Sequence, residues 1–305
     1  MSNPIITIAI PTYNNEKTLR ATIESCLNQN TDIDYEIFIS NNASIDGTAA
    51  VIAEYKNDKI RVLTQKNPVS LYRNHNLCFE NALGDYIVFC HSDDMLEEHA
   101  IEFFMDKLEK RNYPKKYIVW GHSMFRDFSK KTNQIDDFSY NTIVAGEYAP
   151  RLFFYGGLTP CGTLFSRQDF VDIGAYIEPG ENSSPSDLTS MIRAATKGFK
   201  FEMVDEMLFY RESPSTALVH DNVVEYLNEI DDAFVSYIEK TSMKDLKKLI
   251  TLSVGLKNKP LNFLYAMSQV KELHPQIRRI ILKELMLNPL KLRDPVLRKV
   301  LKRVI

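Results

Sequence analysis

Residues 6–29 read ITIAIPTYNNEKTLRATIESCLNQ, and the order of apolar and polar positions in this stretch decides the fold. Residues 5–10 form an apolar run that stops at Pro11, the pattern of a strand covered on both faces. Past the polar residues 12–15, a helix from about Glu16 aligns Leu19, Ile23, Cys26 and Leu27 at helical spacing. A buried strand, a polar turn and an amphipathic helix together open a βαβ unit. The theme repeats outward from there. Strands are expected at 35–40, 60–65, 86–90 and 117–121, and helices from Thr48, over 71–83 (closed by Gly84) and over 97–111. The expected fold class is therefore α/β, a Rossmann-like and mostly parallel sheet flanked by helices.

Beyond Gly121 the pattern becomes mixed. Residues 129–140 read as a loop or hairpin, and Gly156-Gly157 and Pro179-Gly180 mark turns. Short strands are expected at 163–166 and 201–204, with a helix over about 185–197. From Asp221 the chain reads as helix punctuated by Pro260, Pro275, Pro289 and Pro295. Residues 1–220 are thus expected to form an α/β body and 221–305 a helical C-terminal region.

Composition narrows the class. In 305 residues, 44% are hydrophobic and 25% charged, which excludes a disordered or low-complexity chain. The N-terminus lacks the pattern of a secretory signal, and no apolar run is long enough to span a membrane. Cys26, Cys78, Cys90 and Cys161 are far apart and form no CxxC pair, which argues against a zinc ribbon or a disulfide frame. A reduced, cytoplasmic enzyme is expected. The net charge of −3 is uneven: residues 271–305 hold ten Lys/Arg against three Asp/Glu. An acidic body with a basic tail is not the charge layout of a nucleic-acid binder, and it directs the tail toward something anionic.

Ligands of open α/β sheets bind at the carboxyl ends of the strands. Three polar clusters fall there: Pro11-Thr12-Tyr13-Asn14, the segment from Asn41 to Thr48, and His91-Ser92-Asp93-Asp94. Adjacent carboxylates repel each other unless they share a cation, and oxygen ligands suit Mg²⁺ or Mn²⁺. The Asp93-Asp94 pair equally suits the N-terminus of the helix that follows.

Taken together, ITIAIPTYNNEKTLRATIESCLNQ, YEIFISNNASIDGT (35–48) and RNHNLCFENALGDYIVFCHSDD (73–94) resemble the family 2 glycosyltransferases of GT-A fold, over roughly residues 4–211. The resemblance implies that Pro11, Thr12, Tyr13 and Asn14 line a nucleotide pocket, with Tyr13 near the base. Asn41 stands where the family usually has an Asp that accepts a hydrogen bond from uracil; an amide oxygen accepts such a bond without charge. Arg73 matches a position that supports the base or the diphosphate. His91-Ser92-Asp93 occupies the place of the DxD metal motif with His91 replacing the first acid, so that Asp93 is the expected ligand of Mn²⁺ or Mg²⁺ and Asp94 its support. His91 is otherwise a buried strand-end residue.

Pro185-Ser186-Asp187-Leu188 resembles the family's acidic stretch, which makes Asp187 the general base, or else a helix cap. Arg211 and His220 are expected to face the diphosphate or the metal. The implied reaction is inverting transfer from a nucleotide-sugar, with UDP as the expected nucleotide, to a hydroxyl of a glycan or lipid-linked glycan. A nucleotidyltransferase would open with a Gly-rich loop, which this chain lacks after its first strand. A non-catalytic nucleotide-sugar or glycan-binding protein of the same fold is the alternative that Asn41 and His91 favour.

In the tail, Val296, Leu297, Val300, Leu301 and Val304 share one helical face, opposite Arg298, Lys299, Lys302 and Arg303. The preceding helix sets Ile277, Ile280, Ile281 and Leu285 against Arg278, Arg279 and Lys283. Such helices suit either the surface of an anionic membrane or packing against the body or a second copy of the chain. A peripheral position on the inner face of the cell membrane, and a homodimer, are therefore both expectations.

Overall fold

The computed structural model describes residues 5–125, 131–132, 143–145, 160–176, 178, 186–211, 268, 271, 274–287, 289, 293 and 295–305. The apolar run at the N-terminus forms β1 (Ile6–Thr12), followed by α1 (Leu19–Leu27), β2 (Tyr35–Asn41), α2 (Thr48–Ala53), β3 (Ile60–Thr64), α3 (Leu71–Asn81) and β4 (Tyr86–Phe89). Next come β5 (Met95–Leu96), α4 (Ala100–Lys110), β6 (Tyr117–Phe125), β7 (Lys131–Thr132), β8 (Val144–Ala145), β9 (Thr163–Ser166) and α5 (Arg167–Asp172). The remaining elements are α6 (Ser186–Thr196), β10 (Lys200–Arg211), α7 (His274–Leu287) and α8 (Pro295–Val304).

Among the described residues the strands form one sheet in the order β3-β2-β1-β4-β9-β6-β10-β5. The first four are mutually parallel, with Ile8 opposite both Ile37 and Val88. The parallel order ends at β9, which runs antiparallel to both β4 and β6. The sheet is therefore mixed, and its parallel half is the half whose strands alternate with helices in sequence.

Long-range pairing also moves several boundaries. Strand β10 runs for 12 residues, where residues 201–204 alone carry the apolar run, because β6 pairs with it along its length. Residues 95–96, ahead of the helix expected over 97–111, pair with Phe209 and Tyr210 of β10, and α4 starts only at Ala100. Helix α1 begins at Leu19, since the amides of Thr18 and Leu19 both turn back to the Asn15 carbonyl.

The two faces of the sheet are packed differently. Ile6, Ile8 and Ile10 meet Leu19, Ile23 and Cys26 of α1 and Phe104 and Leu108 of α4, all fully buried. Each such aliphatic side chain contributes about 1.5–3 kcal/mol on burial. Aromatic rings fill the other face: Phe170 lies 5.0 Å from Phe79 and 5.1 Å from Phe165, and Tyr176 5.5 Å from Phe170. Gly162, at φ +65°, joins the layers; a Cβ there would sit 2.0 Å from Phe209 Cδ1, so no other residue fits.

In the C-terminal region α7 and α8 pack on each other. Ile277, Leu297, Val300 and Val304 are buried, whereas Arg278, Arg279, Lys283, Arg298, Lys302 and Arg303 are exposed. The apolar stripe of α8 is thus spent on packing, and the basic face remains outside. Residues 221–267, together with the turns at 156–157 and 179–180, lie outside the described residues. No described helix is long and apolar enough to cross a membrane.

Candidate active site

The carboxyl ends of β1, β2 and β4 lie side by side, as the parallel order requires. At β1, Pro11 and Thr12 are buried and the Tyr13 ring is exposed at the lip. The Thr12 hydroxyl is buried without a partner among the described residues, an unmet polar group on the floor of the rim. Asn14 ties β1 to the loop after β2, since its amide donates to Ser44 Oγ (3.0 Å) and its side-chain oxygen accepts from Ile45 N (2.9 Å). Asn41 is buried, and its side-chain oxygen accepts from Ser44 N at 3.2 Å. That oxygen has two lone pairs, so one remains for a further donor. Asn42 clamps Val69 through a pair of hydrogen bonds, closing the segment before α3 onto the rim.

The turn after β4 is held from several directions. Ser92 Oγ donates to Asn15 Oδ1 at 2.8 Å, and Thr18, just before α1, and Thr22 of α1 donate to the Ser92 and Asp94 carbonyls, each at 2.8 Å. Asp94 is buried and Asp93 only partly so. His91 meets His75 of α3, Nε2 to Nε2 at 3.2 Å. Burial, reinforced by the neighbouring His91, pushes His75 down to about 3. Burial and the Arg211 charge push His91 down to about 4, so both rings are neutral near pH 7. The charge of Arg211, at the end of β10, is thus felt at His91.

Donor atoms of His91, Asp94 and Cys161 lie within 4.8 Å of one another. The acid in this group is Asp94, the one expected to play support, and Asp93 sits beside it. Cys161 is placed by the bond from Gly162 N to the Phe89 carbonyl, which brings the segment before β9 against the end of β4. Burial raises its thiol to about 12. All four cysteines are free and buried, and the Cys26 and Cys161 thiols lie against Cys90.

Asp187 stands in the first turn of α6, and its backbone amide donates to the Tyr72 hydroxyl at 3.4 Å. Its carboxylate adds to burial in pushing the Tyr176 hydroxyl well above its usual range. Tyr176 packs on His75 at 5.8 Å, and His75 on His91 at 5.2 Å. A continuous run of rings thus links Asp187 to the turn after β4. Arg73 points elsewhere: it pairs with Glu80 at 2.5 Å and reaches Glu178 at 3.5 Å. His220 lies outside the described residues.

Sequence reasoning missed His75, Cys161 and Tyr176. His75 stood in the quoted RNHN stretch and Cys161 in a Pro-Cys-Gly turn, but neither spacing relates it to His91.

Residues 7–172 match the profile of glycosyl transferase family 2, more than half of the chain, and the chain belongs to that family. The S. aureus TarS crystal structure in complex with UDP-GlcNAc superimposes with a TM-score of 0.68 at 15% identity, over 100% of this chain and 88% of that one. The fold is accordingly GT-A. EpsE of Bacillus subtilis is 25% identical over 242 residues, 77% of this chain and 82% of EpsE. The Escherichia coli UDP-Glc:alpha-D-GlcNAc-diphosphoundecaprenol beta-1,3-glucosyltransferase WfgD is 29% identical over 112 residues, 37% of this chain and 44% of WfgD. The chain spans less than half the length of several other curated relatives it matches.

Proposed function

We propose that the chain is an inverting glycosyltransferase that moves a sugar from a UDP-sugar to a hydroxyl of a glycan or lipid-linked glycan. The observation that carries this reading is the convergence of Asp187 and the His91–Asp94 turn, through Tyr72, Tyr176 and His75, beside the ends of β1 and β2. UDP and UDP-GlcNAc in the TarS complexes support the choice of nucleotide. WfgD, whose name gives a diphosphoundecaprenol-linked acceptor, supports the acceptor class.

In this reading Tyr13 covers the base, Asn41 accepts one hydrogen bond from it, and Arg211 faces the diphosphate. Asp187 takes the proton from the acceptor hydroxyl as its oxygen attacks the anomeric carbon. A single displacement needs no covalent nucleophile. A divalent cation at the turn after β4 would, when bound, offset the charge of the departing diphosphate. The exposed basic faces of α7 and α8 suit an anionic leaflet, where each Lys or Arg contributes about 1 kcal/mol; this is the form in which a peripheral position on the inner membrane face fits the buried apolar stripe.

The test is release of UDP from a panel of UDP-sugars by the wild-type chain, alongside thermal shifts with UDP. Turnover and a UDP-dependent rise in Tm are expected. Binding without turnover on any donor, with any acceptor extract, would favour the non-catalytic reading that the Asn41 and His91 substitutions suggest.

A further inference from the structure

The hydrogen bonds around His75 determine where the lone pair of His91 points. His75 Nδ1 lies 2.8 Å from the Leu71 carbonyl. A carbonyl only accepts, so Nδ1 carries the His75 proton and Nε2 its lone pair. His91 Nε2, 3.2 Å away, must then donate. That leaves the His91 lone pair on Nδ1, facing Asp94 Oδ2 at 3.9 Å. Cys161 Sγ completes the triangle, with all three donor atoms within 4.8 Å of one another.

We propose that His91 Nδ1, the Asp94 carboxylate and the Cys161 thiolate hold a borderline transition-metal cation, Zn²⁺ foremost, in place of Mg²⁺. Mg²⁺ demands an octahedron of oxygens, and this set offers one nitrogen, one sulfur and one carboxylate. Three protein ligands from N, S and O match the open tetrahedral sites of Zn²⁺, whose fourth position is left to water or a ligand oxygen. The imidazole is also oriented as metal-bound imidazoles are, its second nitrogen donating to a fixed acceptor that a backbone carbonyl holds in turn. Charge balances as well. One carboxylate and one thiolate cancel the 2+ ion in a buried place, which leaves the Arg211 charge for a diphosphate. Access runs past His91, whose side chain is 30% exposed while that of Asp94 is 8% exposed. Binding releases one proton from the Cys161 thiol to solvent.

The proposal deepens the reading of this rim as the donor site, but metal binding alone tests it. The full chain, stripped of metal and free of nucleotide, is titrated with Co²⁺ and followed by absorption. Expected are a near-ultraviolet thiolate-to-cobalt charge-transfer band and the visible bands of a tetrahedral site, displaced by one equivalent of Zn²⁺ and untouched by excess Mg²⁺. The near-isosteric Cys161→Ser should abolish the charge-transfer band while the far-ultraviolet circular dichroism is unchanged. His75→Phe should keep the band but weaken Co²⁺ binding about 10-fold to 100-fold. Absence of the band in the wild-type chain, its survival in Cys161→Ser, or displacement of Co²⁺ by Mg²⁺ would overturn the proposal. A cobalt band in a chain that binds no UDP-sugar would uphold the metal site and sink the donor reading; UDP-sugar binding without the band would do the reverse.

Discussion

The loop after β2 and the turn after β4 sit at the same end of the parallel strands, yet they are built in opposite ways. The β2 loop is partly buried, with Ile45 open to solvent, and is closed by polar side chains. Asp46 accepts from the Thr48 amide at 3.0 Å, Ser44 from Asn14, and Glu16 from the Gly47 amide at 2.7 Å. The β4 turn holds two buried residues, Ser92 and Asp94, and is supported from α1 and the residue before it, from α3 and from the segment before β9, within the field of Arg211. A partly exposed loop whose polar groups can turn to water tolerates the loss of one bond, whereas a more buried turn assembled from several segments does not. Under the proposed function the difference also divides the roles: the β2 side would shape a pocket for a base, and the β4 side gathers the charged and ionisable groups that a reaction needs.

The largest break is expected in the chemistry that the β4 side supports. Asp187→Asn keeps the shape and the first turn of α6 but removes the proton acceptor. Turnover should fall by a factor of about 10² to 10⁴ while donor affinity measured by calorimetry changes little. A parallel loss of donor binding would place Asp187 in contact with the donor instead.

Next in size is Thr22→Val, which leaves the buried Asp94 carbonyl with one donor fewer. A cost of about 1–3 kcal/mol in urea unfolding is expected, with weakened UDP-sugar binding as the turn loosens. If the variant is as stable as wild type, the turn is less dependent on α1 than its hydrogen bonds imply.

Acid separates the two regions by a similar amount. His75 is neutral in the fold, lowered to about 3, and titrates near 6.5 when unfolded. Between those values the unfolded chain binds the extra proton, so stability falls as the pH drops below 6.5 and is flat above it. The slope from this group is about 1.4 kcal/mol per pH unit in the metal-free chain. His75→Gln should remove that slope, which unfolding curves at pH 7 and pH 5 would register.

The smallest effect belongs to the β2 loop. Asp46→Ala removes acceptors for Thr48 and Glu16 at a partly exposed site and should cost about 1 kcal/mol, with turnover nearly unchanged. A loss as large as that of Thr22→Val would erase the contrast between the two regions.

The parallel half of the sheet was readable because each strand is followed in the chain by the helix that covers it. Ile6, Ile8 and Ile10 and the stripe of Leu19, Ile23 and Cys26 announce both partners within 21 residues of sequence. The polar clusters at 11–14, 41–48 and 91–94 were readable for the same reason, since a strand's end lies next to its own residues. The antiparallel insertion of β9, the length of β10 and the pairing of residues 95–96 as β5 depend on partners more than 40 residues away, which no local periodicity encodes. The site divides along the same line. Their place at a strand end singled out His91, Asp93 and Asp94 as chemical residues, and the family resemblance added Asp187. Folding chose Asp94 for the convergent group, oriented His91 through His75, turned Arg73 to Glu80, and set Cys161 against a strand that ends 72 residues earlier. Short-range hydrogen bonding and hydrophobic period are properties of neighbouring residues. The direction of a lone pair is a property of everything packed around it.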